Sequence, residues 1–233
     1  MKSTKNNQRR IGTILDLCGT LYINEELSSA YKACLFRAVA SHHYLSIEEA
    51  KKLVEETRKD HERSKGFTPP VLLTSDLLNV RSEYMLACNA VEPADFLKKD
   101  PRLAKLIERL AAKYKLALLT HSTTLCTLKA LKALGIDANI FDAMVCAEDI
   151  SHPKPDPQPF LEATGRLSLQ PTYCIVIGDR PEIDLITPKK LGMWTILVRN
   201  QSAKNLECVD CQSDDVFHLE EAISKTARRM CGN

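Results

Sequence analysis

Four short runs of this chain are almost continuously apolar, and each stops on or beside a polar residue. They lie at 11–16, 115–120, 173–179 and 194–199, with a fifth, less continuous run at 143–147. Unbroken apolar character predicts strands buried on both faces, the condition of a parallel sheet. Parallel neighbours need long crossovers, and helical patterns fill the intervals. Asp100 is a good N-cap with Pro101 at the first helical position, and Leu103, Leu106, Ile107 and Leu110 mark one face of the helix that follows. Leu125, Leu128, Leu131 and Leu134 mark the next, which stops at Gly135. The alternation predicts an α/β fold, a doubly wound (Rossmann-like) parallel sheet.

The interval 24–99 breaks that alternation, because it contains no convincing strand. Ser46-x-x-Glu49 forms a capping box ahead of a helix with Leu53 and Val54 inward. Residues 66–70 (GFTPP) interrupt the helical pattern, which resumes over 72–90. The expectation is an α/β core of residues 1–23 and 100–233 with an inserted all-helical domain at 24–99. An insertion after the first strand turn sits above the carboxyl ends of the strands, where open α/β sheets bind ligands.

A net charge of +2 gives no reason to expect nucleic acid or an anionic membrane as partner. The basic stretch MKSTKNNQRR is not followed by an apolar signal region and reads as a loose tail, and no stretch is long enough to span a bilayer. Nine cysteines, an odd number scattered through strands and helices, suggest reduced thiols in a cytoplasmic protein. Cys208 and Cys211 form a lone C-x-x-C; His218 and Cys231 would be needed for a zinc site, but no second close pair supports one. These two thiols read as loop residues.

Polar residues with mutually coherent chemistry fall at or just beyond the carboxyl ends of the first four strands. They are Asp16, Thr120, Lys154 in HPKPDPQPF, and Asp179 in IVIGDRPEIDL, with Glu182 and Asp184 close behind. A carboxylate can split one hard displacement into two easier ones by forming an aspartyl phosphate. A phosphate dianion and a carboxylate repel, so a cation must lie between them, and Mg²⁺ takes such hard oxygen ligands. Asp179 is the natural second carboxylate for it, with Asp184 as ligand or supporting partner. Lys154 can neutralise Asp16 and stabilise charge on the transferring group. Thr120 and N–H groups at the next helix start can hold phosphate oxygens. His121 and Ser122 can line the same pocket. Singly, each also reads as a turn, cap or solvated residue.

The segment TILDLCGTLY at 13–22 resembles the nucleophile loop of the haloacid dehalogenase superfamily, whose usual form is Asp-x-Asp-Gly-Thr. All four motifs of that family occur here in order. The resemblance implies Asp16 as nucleophile, Thr120 as phosphate binder and Lys154 as charge stabiliser, and His121 and Ser122 beside Thr120 are candidate substrate-binding residues. It also implies Asp16, the backbone carbonyl of Cys18, Asp179 and Asp184 as the Mg²⁺ site. The inserted helices resemble the family's small cap, which closes over substrate. DPRLAKLIERL, LKALGIDANIFDAMVCAEDI and KPDPQPFLEATGRL resemble the pyrimidine 5′-nucleotidase-like branch among neighbouring branches. The implied function is a phosphohydrolase acting on a small phosphorylated metabolite, a nucleoside monophosphate first.

Cys18 departs from that pattern. It stands where the family's general acid/base Asp belongs, and such acid–base help is typically worth ~10²–10⁴-fold. Three readings stay open at the level of sequence. One is a phosphatase with weakened acid–base catalysis. Another is a phosphonatase or dehalogenase, although the acid-rich GDRPEID argues against the latter, and a phosphonatase would need Lys32, Lys51, Lys52 or Lys65 for a Schiff base. The third is a protein that binds phosphate or a partner without turnover.

Overall fold

The computed structural model describes residues 11–199 and 206–232, and the expected loose tail lies outside the described residues. Six parallel strands form one sheet in the order β3-β2-β1-β4-β5-β6. They are β1 (Gly12–Leu15), β2 (Lys115–Leu119), β3 (Ala143–Val145), β4 (Cys174–Gly178), β5 (Trp194–Val198) and β6 (Cys211–Ser213). Strand order reverses at β1, which has β2 on one side and β4 on the other, so a crevice opens above its carboxyl end. Leu15 pairs with Leu118 and with Ile177, so the residues that follow these three strands emerge along one edge.

Alternate residues of β1 face opposite cores. Ile14 joins Ala117, Leu119 and Val176 on one face, and Leu15 joins Leu116, Leu118, Ile175 and Ile196 on the other. Each fully buried aliphatic side chain is worth roughly 1.5–3 kcal/mol. Several such side chains on both faces fix the backbone that presents Asp16.

Four helices follow β1: α1 (Glu25–His43), α2 (Ile47–Lys65), α3 (Val71–Leu77) and α4 (Arg81–Asn89). The Ser46–Glu49 capping box opens α2 with both reciprocal hydrogen bonds, and Gly66 ends it in the left-handed region. Val54 is buried there and Leu53 half-buried, beside Leu35, Val39, Leu72 and Tyr84. The helical pattern expected over 72–90 is two helices. Asn79 breaks it with φ 56°, a conformation its short polar side chain tolerates.

The rest of the fold is built from α5 (Pro101–Ala111), α6 (Thr124–Leu134), α7 (Pro157–Leu167), α8 (Ile186–Lys190) and α9 (Leu219–Met230). Asp100 caps α5 by accepting from the Arg102 N–H, and Thr123 caps α6 by accepting from Cys126. Strand β6 corrects the loop reading of the C-x-x-C: Cys211 begins that strand and Cys208 is buried. Its three residues, Cys-Gln-Ser, are too short and too polar to stand out as an apolar run.

Candidate active site

Asp16 follows β1 directly, and its backbone N–H donates to the Ile177 carbonyl at 3.0 Å. The residue is only 9% exposed. Its Oδ1 accepts from Lys154 Nζ at 2.7 Å, while its Oδ2 is buried without a hydrogen-bond partner. Lys154 Nζ donates equally closely to Asp184 Oδ1, at 2.7 Å, and to the Leu119 carbonyl at 3.3 Å. One buried ammonium thus ties the ends of β1 and β2 to the turn after β4.

That turn is a single wide π-type turn, Pro181–Leu185, of a kind frequent at functional sites. It returns Asp184 beneath β4, where Asp184 Oδ2 accepts the Arg180 N–H at 3.2 Å. Gly178 leaves room for this: a Cβ there would collide with the Asp184 side chain. Gly19 does the same for Asp179, whose carboxylate occupies the space a Cβ at residue 19 would fill. Gly19 also holds φ +96°, which strains any other residue. Arg199 braces this loop by donating to the Gly19 and Thr20 carbonyls at 3.0 and 2.9 Å.

The electrostatics follow from burial. Asp16 rises to about 6, chiefly by desolvation, with the Asp184 charge adding to it and Lys154 opposing. Asp179 rises to about 7, again by desolvation first and then by the Asp16 and Asp184 charges. Burial alone would lower Lys154, but Asp16 and Asp184 outweigh it and hold the ammonium above its ordinary range. Mutually repelling carboxylates and an unpaired Asp16 oxygen are the conditions a hard cation relieves. Among the described residues no three His, Cys, Asp or Glu side chains close around an ion by themselves. Such an arrangement suits Mg²⁺, which takes one or two carboxylates and completes its shell with waters and substrate oxygens.

Thr120 is 1% exposed and its hydroxyl accepts the Ser122 N–H at 3.1 Å, opening the turn into α6. His121 Nε2 is buried without a hydrogen-bond partner. Burial first, then the charges of Lys154, Arg180 and Arg81, hold the His121 ring well below the usual histidine range, so it is neutral. Cys18 opens onto the cavity but is crowded by protein. Its thiol is pushed up to about 11 by desolvation and the Asp16 charge. Its Sγ lies 2.9 Å from Tyr22 Oη and 3.9 Å from Ser122 Oγ.

Asp16, Cys18, Thr120, His121, Ser122, Lys154, Asp179 and Asp184 all line one cavity of about 290 Å³. These eight candidates are therefore brought together, whereas Glu182, named beside Asp179 and Asp184, is absent from that wall. The inserted helices supply the roof with Ser28, Tyr31, Lys32, Arg58 and Tyr84. Of the lysines weighed for a Schiff base, Lys32 alone lines it. Sequence reasoning missed Arg58, Arg180 and Arg199. Only Arg199 carried a signal, as a polar residue ending an apolar strand.

Helices inserted after the first strand, over an aspartate–lysine pair at the switch point of a parallel sheet, define a class of hydrolase scaffold. The chain belongs to the haloacid dehalogenase-like hydrolases, with residues 13–198 matching that family. It is 36% identical over 97 residues to the pyrophosphatase PpaX of Bacillus velezensis, a match covering 39% of this chain and 44% of that protein. It is 23% identical over 227 residues to a glyceraldehyde 3-phosphate phosphatase of Methanocaldococcus jannaschii, covering 91% and 95%. The first relatives are thus matched over less than half of their own length. A phosphatase of this family from Thermococcus onnurineus shares the fold with TM-score 0.65 and 20% identity, over 91% of this chain and 97% of that one. No helix among the described residues is long and apolar enough to cross a membrane.

Proposed function

We propose that this chain is a Mg²⁺-dependent phosphohydrolase that cleaves a small phosphate monoester through an aspartyl phosphate on Asp16. The observation that carries the reading is Lys154 held at 2.7 Å from both Asp16 and Asp184, with Asp16 Oδ2 unpaired at the cavity wall. Asp16 and Lys154 are the catalytic pair, and residues 24–99 act as a cap on a core of 1–23 and 100–233. The names of relatives that act on phosphate compounds, among them pyrophosphatases and glyceraldehyde 3-phosphate phosphatases, support this class of substrate.

Asp16 Oδ2, the Cys18 carbonyl and Asp179 would hold the metal. Asp184, with both oxygens already engaged, positions Lys154 and supports the site. Bound there, the metal would neutralise charge between phosphate and carboxylate. Asp16 attacks phosphorus; the P–O bond to the leaving oxygen breaks, and that oxygen must take a proton. Water then attacks phosphorus and loses a proton to solvent as the bond between Asp16 and phosphorus breaks, releasing phosphate and regenerating the Asp16 carboxylate. Lys154 balances the Asp16 charge before attack and after release. Thr120, Ser122 and His121 orient the phosphoryl oxygens.

Cys18 weakens only the proton steps. A thiol with its pKa at about 11 stays protonated at neutral pH and cannot serve as a base. Esters whose leaving oxygen needs no proton, such as aryl and acyl phosphates, are therefore the better substrates. Nine free thiols support a reducing, cytoplasmic setting. A phosphate-ester panel, with and without Mg²⁺, comparing wild type with Asp16→Asn tests the reading. Metal-dependent release of phosphate by wild type alone is expected; release by Asp16→Asn overturns it.

A further inference from the structure

The catalytic groups do not account for the cationic part of the cavity wall. Lys154 is neutralised by Asp16 and Asp184. Lys32 from α1, Arg58 from α2 and Arg180 after β4 line the same cavity, and none of the three forms an ion pair among the described residues. Arg180 is turned towards the cap, where its guanidinium donates to the Thr68 carbonyl at 2.6 Å. Lys32 and Arg58 also both line a second, small pocket between their helices, with Leu35, Val54 and Val71.

Burial is unfavourable for Arg58, and the nearby Arg180 charge adds to the strain. Glu55 and Glu62, on the same helix, offset part of this through space, but both are exposed and neither reaches ion-pair distance. A half-buried guanidinium and an exposed lysine on one cavity wall, neither paired with a carboxylate, form an arrangement that an incoming anion completes. The anion that Asp16 attacks is not the one it completes, because Thr120, Ser122 and a metal bound at Asp16 and Asp179 would serve that phosphoryl group.

We propose that Lys32 and Arg58 form a second anion subsite, so that the substrate is a short phosphate ester or anhydride with another anionic group at its far end. This deepens the reading of the site as a phosphohydrolase and rests on it. The remaining wall (Pro69, Pro70, Val71, Leu72, Tyr31 and Tyr84) is largely apolar and suits a short linker. A carboxylate and a second phosphate share the required chemistry. A cavity of about 290 Å³ sits at the low end of small-molecule sites, which favours a compact ligand.

The test separates this inference from the activity itself. Calorimetric binding of 2-phosphoglycolate, pyrophosphate and ethyl phosphate is measured with Mg²⁺ on Asp16→Asn, which cannot turn over, and then on Asp16→Asn carrying Lys32→Gln and Arg58→Gln. Either doubly anionic probe should bind roughly ten- to a hundred-fold more tightly than ethyl phosphate. That preference should collapse towards unity when the two cations are removed. The carboxylate and pyrophosphate arms tell which anion the subsite takes. Equal binding of all three probes, or a preference that survives the double replacement in a chain with unchanged Tm, overturns the subsite even if esters are hydrolysed. A preference lost with the cations, in a chain that hydrolyses nothing, leaves the subsite standing and removes only the phosphohydrolase reading.

Discussion

The Asp179 carboxylate rests against the α-carbon of Gly19, filling the space a side chain there would need. Two of the loops that build the site are thereby locked together by the absence of one methyl group. Gly19→Ala should displace Asp179 and also cost about 1–2 kcal/mol for its left-handed backbone. Metal-dependent turnover should fall far more than stability does. Phosphate release and urea unfolding measured on the same variant check the pair of effects, and near-normal turnover would contradict the contact.

Lys154 is buried between two carboxylates, so removing it alone should be severe. Lys154→Met leaves both acids unpaired and should cost about 3–5 kcal/mol. Adding Asp16→Asn and Asp184→Asn to Lys154→Met should recover much of that loss, because no uncompensated charge remains. Urea unfolding of the single and triple variants decides it. A single variant as stable as wild type would mean that the ion pairs do not bear on folding.

Cys18→Asp restores a carboxyl group at the position of the missing acid. Turnover of alkyl phosphates should rise by ~10²–10⁴-fold, and of aryl phosphates much less. The rate dependence on leaving-group basicity should flatten accordingly. If the variant is no faster on any ester, proton transfer is not what limits this site.

The proposed site positions were legible because each lies at the end of an apolar strand or in the loop just beyond one, and a parallel sheet gathers such ends along one edge. That rule placed Asp16, Thr120 and Asp179 together and Lys154 and Asp184 in the neighbouring loops, and the resemblance of the motifs gave them their roles. Arg58 was not legible as a site residue, and Lys32 was only one of four lysines that nothing set apart. Arg58 sits on an amphipathic helix whose polar face carries many charges, and nothing in the spacing of either helix shows which charge turns into a cavity. Asn79 hid the break between α3 and α4 for a related reason, since one asparagine leaves the apolar period on either side intact. Strand β6 failed the opposite test, having no apolar period to read.

His121 should make stability depend on pH. The unfolded ring titrates near 6.5. The folded ring is held well below that by burial and by Lys154, Arg180 and Arg81. The unfolded chain therefore binds the extra proton, and the stability carried by the neutral ring is complete above about pH 6.5 and drains away as pH falls, by up to about 1.4 kcal/mol per unit. His121→Asn should lose less stability than wild type between about pH 8 and about pH 5. Parallel losses in the two proteins would show that the ring is protonated in the folded state.

In the proposed reaction the phosphoryl group passes covalently through Asp16. With the base for the second step weakened by Cys18, the phosphoenzyme should accumulate during turnover of an aryl or acyl phosphate with Mg²⁺. Rapid acid quench followed by mass spectrometry of the peptide containing Asp16 reads it directly. The account predicts a phosphoryl adduct on Asp16 in wild type, absent in Asp16→Asn. Steady phosphate release with no adduct on Asp16, or with the adduct on another residue, would contradict it.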